Sequence, residues 1–292
     1  MPDKIDLHVH PYFESYGIES IAGAMYSNGL RAIGLINYNE DNFVEVRKLA
    51  GGINKDCDGL RIITDGSDEL AIQMHVENES KEKLYLLRGI EVLNDDFHLL
   101  VIGNISKIKK GNSIEQNIET AFENDALVII DHPFVDALKP WKGISEEKKK
   151  RLTDLCIKYP FALEWNSYCI PWVRKFFLGN DANLEVEEFS DYLYENKDNL
   201  YTPISKNIHR PIIADSDVHA RNKKLLREIG AGNIETWNIN WSSGQEVIRS
   251  LKHQIMLGED IGYHNNKKYV SFIHFVKAFG LPVVLNLAKK RG

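Results

Sequence analysis

The segment Lys4-Ile5-Asp6-Leu7-His8-Val9-His10 begins the chain with a short apolar run that ends in two histidines. Alternate side chains of a strand point to the same face, so His8 and His10 can reach one metal ion. Histidine is the commonest metal ligand in proteins, although one such pair is weak evidence by itself. The segment therefore predicts a buried strand with a candidate metal site at its carboxyl end.

Further along the chain, short apolar runs alternate with amphipathic stretches of helical periodicity. The runs are mostly β-branched or rich in leucine and are bounded by polar residues, which is typical of buried strands. The predicted strands are 4–9, 31–36, 84–92, 98–102, 127–130, 161–165 and 212–214, and the predicted helices are 18–28, 41–49, 113–123, 145–158 and 245–257. This alternation predicts a mostly parallel sheet with helices outside, either open and doubly wound or closed into a barrel.

Several of the other predicted strands also carry metal-binding groups at one end. Glu91 ends one apolar run, His98 begins the next, and His132 follows a third. After the last predicted strand, Asp217 and His219 repeat the spacing of two residues. Each residue alone has an ordinary explanation as a solvated, core or capping group. In a parallel barrel, however, the carboxyl ends of the strands share the face where active sites lie, so the joint pattern favours a barrel with one metal centre.

Two further acidic residues, Asp131 and Glu164, lie at the ends of predicted strands. Asp131 precedes His132 at the end of an apolar run and could serve a turn before Pro133. Glu164 ends another predicted strand and is a candidate for orienting a ligand imidazole, with a structural role about as plausible.

The ordered motifs resemble those of the PHP (polymerase and histidinol phosphatase) family between residue 4 and about residue 260. The matching segments are Asp6-Leu7-His8-Val9-His10, Gly89-Ile90-Glu91, His98 through Gly103, Asp131-His132-Pro133 and Ser216-Asp217-Val218-His219-Ala220. The resemblance implies the PHP fold, a distorted TIM-like (β/α)7 barrel, with a centre of two or three metal ions that hydrolyses phosphoesters. It also implies two ligand sets bridged by one glutamate: Glu91 with His8, His10 and Asp217, and Glu91 with His98 and His132.

Two regions depart from the family pattern. Members of the family usually carry an Asp or His a few residues after the histidine pair, and an Asp-His pair after the second strand. Here Tyr38, between Asn37 and Asn39, replaces the histidine usual after the second strand. His219 then has at best Glu14 as a companion ligand for a third ion. We therefore expect two well-formed metal sites and a third that is weak or absent.

The leading functional hypothesis is a phosphoesterase that hydrolyses a small phosphorylated metabolite through a metal-bridging hydroxide. Mixed imidazole and carboxylate ligands suit zinc, manganese or ferrous iron, and two such ions can clamp the oxygens of a displacement at phosphorus. Asp217 and His219 are the expected catalytic residues, since His219 could protonate the leaving group. Arg174, Arg210 and Arg221 are candidates for binding phosphate oxygens bidentately.

Three alternatives remain open. Aromatic residues near the predicted mouth could stack bases, as in a nuclease or phosphodiesterase acting on short oligonucleotides. The substitutions at Asn37 and Tyr38 could instead mark a non-catalytic barrel that binds a ligand. An amidohydrolase also fits the opening histidine pair, but nothing marks the carboxylated lysine that many of those enzymes use.

Composition sets broader limits. The chain has 292 residues, of which 43% are hydrophobic and 27% charged, as in ordinary soluble globular proteins. We expect one PHP barrel domain over residues 1–292, with an excursion over the barrel mouth at about 51–83, a lid-like one at about 170–210, and a helical tail at about 268–292. Without a membrane-spanning run, targeting segment or CxxC pair, the sequence predicts a cytoplasmic protein. The net charge of −6 argues against broad nucleic-acid binding, and the oligomeric state is open.

Overall fold

The computed structural model describes residues 2–13, 15–77, 83–94, 97–135, 144–170, 181–196, 211–257, 262–271 and 276. Within these residues, thirteen strands belong to one sheet. The strands are β1 (Asp3–His10), β2 (Leu30–Tyr38), β3 (Asn54–Cys57), β4 (Leu60–Ser67), β5 (Ala71–Val76), β6 (Leu84–Leu93), β7 (His98–Ile102), β8 (Leu127–Asp131), β9 (Ala162–Asn166), β10 (Ile212–Asp215), β11 (Val218–His219), β12 (Asn233–Thr236) and β13 (Tyr263–Asn266). The helices are α1 (Ile18–Ser27), α2 (Phe43–Ala50), α3 (Ile114–Glu123), α4 (Glu146–Lys158), α5 (Ala182–Glu195) and α6 (Gly244–Leu257), with a 3₁₀ helix at Lys223–Glu228.

The sheet curls into a nearly closed barrel in the order β1, β2, β6, β7, β8, β9 and β10. The barrel closes because β11 follows β10 after a two-residue break and pairs in parallel with the end of β1. At the other end of β1, the hairpin of β12 and β13 fills the gap beside β10. There the Tyr263 hydroxyl donates to the Ile212 carbonyl over 2.7 Å. The predicted distorted seven-stranded α/β barrel is therefore confirmed.

One strand of the barrel runs against the others. β7 is antiparallel to both of its neighbours, β6 and β8, whereas the remaining pairs of neighbours in the ring are parallel. The beginning of β7 therefore lies at the same end of the barrel as the carboxyl ends of β6 and β8. This direction explains how His98, the first residue of its strand, joins residues that end theirs.

Of the excursion expected at 51–83, the structure describes residues 51–77 and 83. Its strands β3, β4 and β5 form an antiparallel meander, and β5 pairs with Leu84–Leu87 at the beginning of β6. Apolar residues of the meander, such as Ile62 and Met74, belong to the same core as Met25 of α1. Of the excursion expected at 170–210, the structure describes Ile170, residues 181–196 and therefore α5; of the tail expected at 268–292, it describes residues 268–271 and 276.

Close packing of the first two strands requires a glycine. A Cβ atom on Gly34 of β2 would lie 2.2 Å from the carbonyl oxygen of Leu7, a distance that no side chain tolerates. This approach seats β2 against the middle of β1 and so fixes the neighbourhood of His8. Among the described helices, none is long and apolar enough to cross a bilayer.

Candidate metal centre

A first group of donor atoms comes from β1 and from the break between β10 and β11. His8 Nε2 and His10 Nε2 lie 2.9 Å apart, and Asp217 Oδ1 lies 3.6 and 3.5 Å from them. All three side chains are buried. Two ligands of one ion with bonds of 2.0–2.1 Å and tetrahedral angles are separated by about 3.3 Å. The three atoms therefore have the spacing of ligands around one position.

A second group comes from the ends of β6 and β8 and the beginning of β7. Glu91 Oε1 contacts His98 Nδ1, and Asp131 Oδ2 lies 3.8 Å from the same nitrogen. His132 Nε2 lies 3.0 Å from Asp131 Oδ2. The other oxygen of Glu91, Oε2, lies 3.1 Å from His10 Nε2, so this carboxylate contacts both groups.

The donor atoms fit a cation better than they fit one another. Asp217 Oδ1, both carboxylate oxygens of Asp131 and His98 Nε2 are buried and have no hydrogen-bond partner among the described residues. Buried polar atoms in folded proteins nearly always have a partner, because leaving one unsatisfied is costly. Divalent ions bound by imidazole and carboxylate would satisfy the oxygens and match the chemistry of the donors. The described residues thus contain buried clusters that could hold metal ions.

Two of the clustered residues have unusual backbone angles. His132 has φ of 28° and Asp217 has φ of 44°, in the left-handed region that residues with a Cβ atom rarely adopt. Such conformations cost free energy and persist at functional sites where the surrounding structure enforces them. In both cases the unusual angle occurs just after a strand, where the side chain turns toward the cluster.

Glu164, near the end of β9, forms hydrogen bonds to residues of both groups. Its Oε1 accepts a hydrogen bond from His8 Nδ1 over 2.6 Å, and its Oε2 accepts from the His132 backbone N–H over 2.8 Å. Asn166 Nδ2 donates to Glu164 Oε2 over 2.9 Å and to Asp217 Oδ2 over 2.8 Å. A carboxylate on Nδ1 keeps the proton there, so the Nε2 lone pair of His8 faces the first group.

Burial and neighbouring charges shift the pKa values of these residues in different directions. Burial, with the neighbouring His98, lowers the pKa of His132 to about 4. Burial also opposes the charged form of His8, but the charges of Asp131, Asp217 and Glu164 outweigh it and raise the pKa of His8 well above 6.5. Burial and Glu164 together raise the pKa of Asp131 well above its usual range. These shifts favour the protonated forms of His8 and Asp131 and the neutral form of His132.

His219 lies at the rim of the first group. Its Nε2 is 3.2 Å from Asp217 Oδ1, and its ring stacks on the ring of His10 with centroids 4.3 Å apart. It is partly exposed, unlike His8 and His10. On the opposite side of the mouth, the half-exposed ring of Tyr38 lies 6.0 Å from that of His98.

The remaining candidate residues are less defined. Arg221 is exposed just after β11, and its backbone N–H donates to the His219 carbonyl over 2.8 Å. Glu14, Arg174 and Arg210 lie outside the described residues. The expectation of a weak or absent third ion therefore stays a prediction.

Asp131 is the residue whose position the sequence did not reveal. Its carboxylate does not serve the turn before Pro133, because both oxygens lack hydrogen-bond partners and one faces His132. The available signal was its place at the end of an apolar run, which it shares with Glu91 and which the adjacent proline made easy to attribute to a turn.

No family model matches the chain, and no curated protein is significantly similar to it. Among solved structures, PsfC from Pseudomonas syringae PB-5123 aligns with a TM-score of 0.54 and 11% identity, over 98% of this chain and 98% of its own. The lesion-specific endonuclease PfuEndoQ from Pyrococcus furiosus aligns with a TM-score of 0.49 and 15% identity, and the match covers 86% of this chain and 56% of the endonuclease. The similarity to PsfC concerns the fold alone.

Proposed function

We propose that the protein is a metal-dependent phosphoesterase of the PHP family that hydrolyses a small phosphorylated metabolite. The observation that carries the proposal is the convergence of two donor groups on one buried carboxylate, Glu91, at the carboxyl-end face of the barrel. The order of the sequence motifs supports the family, and the unsatisfied oxygens of Asp131 and Asp217 support the presence of cations.

In this proposal each ion is held by residues of two or more strands. His8, His10 and Asp217 would hold one ion and His98 and His132 the other, with Glu91 between them. When bound, the two ions supply Lewis-acid stabilisation of the charge on phosphate oxygens and lower the pKa of water. Zinc, manganese and ferrous iron suit these donors.

The protein's own residues would orient the centre and move the proton. Glu164 holds the Nδ1 proton of His8, and Asn166 fixes one oxygen of Asp217. His219, at the partly exposed rim, would donate a proton to the leaving oxygen of the ester. Arg221, with Arg174 and Arg210, would bind the phosphate oxygens. The net charge of −6 favours a small substrate over a nucleic-acid polyanion.

Phosphate release tests this function directly. Protein reconstituted with Mn²⁺ or Zn²⁺ should release phosphate from at least one member of a phosphomonoester panel. Glu91→Ala should lower that rate by at least about 10³-fold, because both ions lose a ligand and metal ions contribute several kcal/mol to such reactions. Glu235→Ala is the matched control, since Glu235 also lies on a strand of the sheet but pairs with Lys4 over 3.4 Å.

Unchanged turnover in Glu91→Ala would refute the assignment. Cleavage of DNA or RNA oligonucleotides by a protein inactive on every monoester would favour the nuclease alternative. Stoichiometric metal without turnover on either class of substrate would favour the non-catalytic binder.

A further inference from the structure

We propose that Asp131 is a ligand of the second ion, which gives the two ion positions matched donor sets. Each position would then have two imidazoles, one aspartate and the shared Glu91. The inference rests on the metal centre of the proposed function, but it concerns ion binding and not turnover. Neither the sequence motifs nor the family resemblance assigns Asp131 this role.

The first support is the position of the carboxylate. Asp131 is the last residue of β8 and is 1% exposed. Its Oδ2 lies 3.0 Å from His132 Nε2 and 3.8 Å from His98 Nδ1, and neither contact is a hydrogen bond. Two ligand atoms of one ion lie about 3.3 Å apart. The Asp131 oxygen and the two imidazole nitrogens have a spacing close to this value without a hydrogen bond between them.

The second support is a comparison with a carboxylate that has a structural role. Asp6 is as deeply buried as Asp131. It accepts hydrogen bonds from the backbone N–H groups of His8, Ser216 and Gly230, and from the Ser216 hydroxyl. Asp131 accepts none from the described residues. A buried carboxylate without donors requires a cation or a proton, and imidazole nitrogens on its open side favour the cation.

The third support is the charge of the completed centre. Three carboxylates, Glu91, Asp131 and Asp217, would offset three of the four charges of two divalent ions. The carboxylate of Glu164, which accepts from His8 Nδ1, would offset the fourth, so the completed centre would be close to electroneutral. A carboxylate in each position also favours the same class of ion in both, namely zinc, manganese or ferrous iron.

Metal titration without substrate tests the inference. Metal-free protein is titrated with Zn²⁺ by calorimetry, and the bound metal is counted by elemental analysis after desalting. The wild-type protein should bind two ions. Asp131→Asn should keep one and bind the second at least about 100-fold more weakly, a larger loss than removal of an outer-shell partner causes. His10→Asn should weaken the other step instead.

Asp215→Asn is the matched control. Asp215 ends β10, is equally buried and also has two oxygens without hydrogen-bond partners among the described residues, but it belongs to neither donor group. This variant should bind two ions as the wild type does. Equal losses in Asp131→Asn and Asp215→Asn, or two ions at wild-type affinity in Asp131→Asn, would overturn the inference while leaving the proposed function intact. Absence of metal from the wild-type protein would overturn both.

A measurement on the wild-type protein is independent of how the variants fold. Anomalous density from crystals of the Zn²⁺-loaded protein should show an Asp131 oxygen within about 2.2 Å of an ion. An ion bound by His98 and His132 with Asp131 beyond contact distance would contradict the inference.

Discussion

The two halves of the candidate metal centre are built differently from the same kinds of residue. The first half takes its donors from β1 and from Asp217 just before β11, a strand that pairs in parallel with β1 and places His219 opposite His10. The second half takes its donors from β6, β7 and β8, where the antiparallel β7 places His98 opposite Asp131. Similar ligand chemistry can therefore arise from spacing along one strand or from the direction of neighbouring strands. Only the spacing along one strand is visible in a sequence.

The halves also differ in what lies around the donors. A partly exposed imidazole, His219, flanks the first half, whereas Tyr38 occupies the rim of the second. Tyr38 is 48% exposed and lacks a nitrogen donor. The first half therefore has an imidazole beside its ligands, whereas the second has a phenol, whose raised pKa makes it a weak acid.

The largest effects should distinguish the loss of turnover caused by substituting His219 from the loss of metal caused by substituting a ligand. His219→Asn should lower kcat by about 10²-fold or more, because a positioned general acid contributes that much, while both ions remain bound. His132→Asn should instead release one ion. Steady-state kinetics with elemental analysis of the same preparations distinguishes the two effects.

The leaving group provides the control for this prediction. An ester of 4-nitrophenol needs little protonation on departure, so His219→Asn should slow its hydrolysis less than that of an alkyl phosphate. Equal losses on both esters, or loss of metal from His219→Asn, would assign His219 to ion binding and contradict its role as a general acid.

The sequence predicted most of the fold and the first half of the site. Alternating apolar runs indicated the barrel strands, and the pairs His8/His10 and Asp217/His219 indicated a shared face through their spacing. The sequence did not predict that β7 runs antiparallel, because strand direction depends on pairing between distant segments. For the same reason it did not reveal the role of Asp131, whose neighbours His98, His8 and Glu164 come from three other strands.

Substitution of Glu164 should weaken ion binding in both halves by a smaller factor. Glu164→Gln should weaken ion binding by about 10- to 100-fold, the usual loss when a carboxylate behind a ligand imidazole is removed. Both steps should weaken, because Glu164 accepts hydrogen bonds from His8 and from the His132 backbone. Metal titration of the variant measures each step.

Asp65→Asn is the matched control for Glu164. Asp65 accepts from His75 Nδ1 over 2.7 Å in the meander outside the barrel, so this variant removes a similar carboxylate–imidazole pair. It should leave both steps unchanged. A loss confined to one step in Glu164→Gln would show that the two halves are supported separately.

The smallest effect concerns the protons that each half releases. The pKa of His8 is raised well above 6.5 and that of Asp131 well above its usual range, so the metal-free protein favours a proton on each group. An ion must displace that proton to bind, so each step should release up to one proton and should strengthen as the pH rises toward the raised pKa. His132, with a pKa of about 4, is already neutral and adds nothing near pH 7.

Calorimetry in two buffers of different ionisation enthalpy counts these protons. In His10→Asn, where the second half binds its ion alone, proton release should be measurable at pH 7, because the raised pKa of Asp131 favours its protonated form. In Asp131→Asn, the ion of the first half should also release a proton, because that proton comes from the imidazole of His8. If the second half released none, its carboxylate would already be ionised without metal. The two halves would then differ in the protonation of their groups as well as in the direction of their strands. Their donor sets would match only in residue type and geometry.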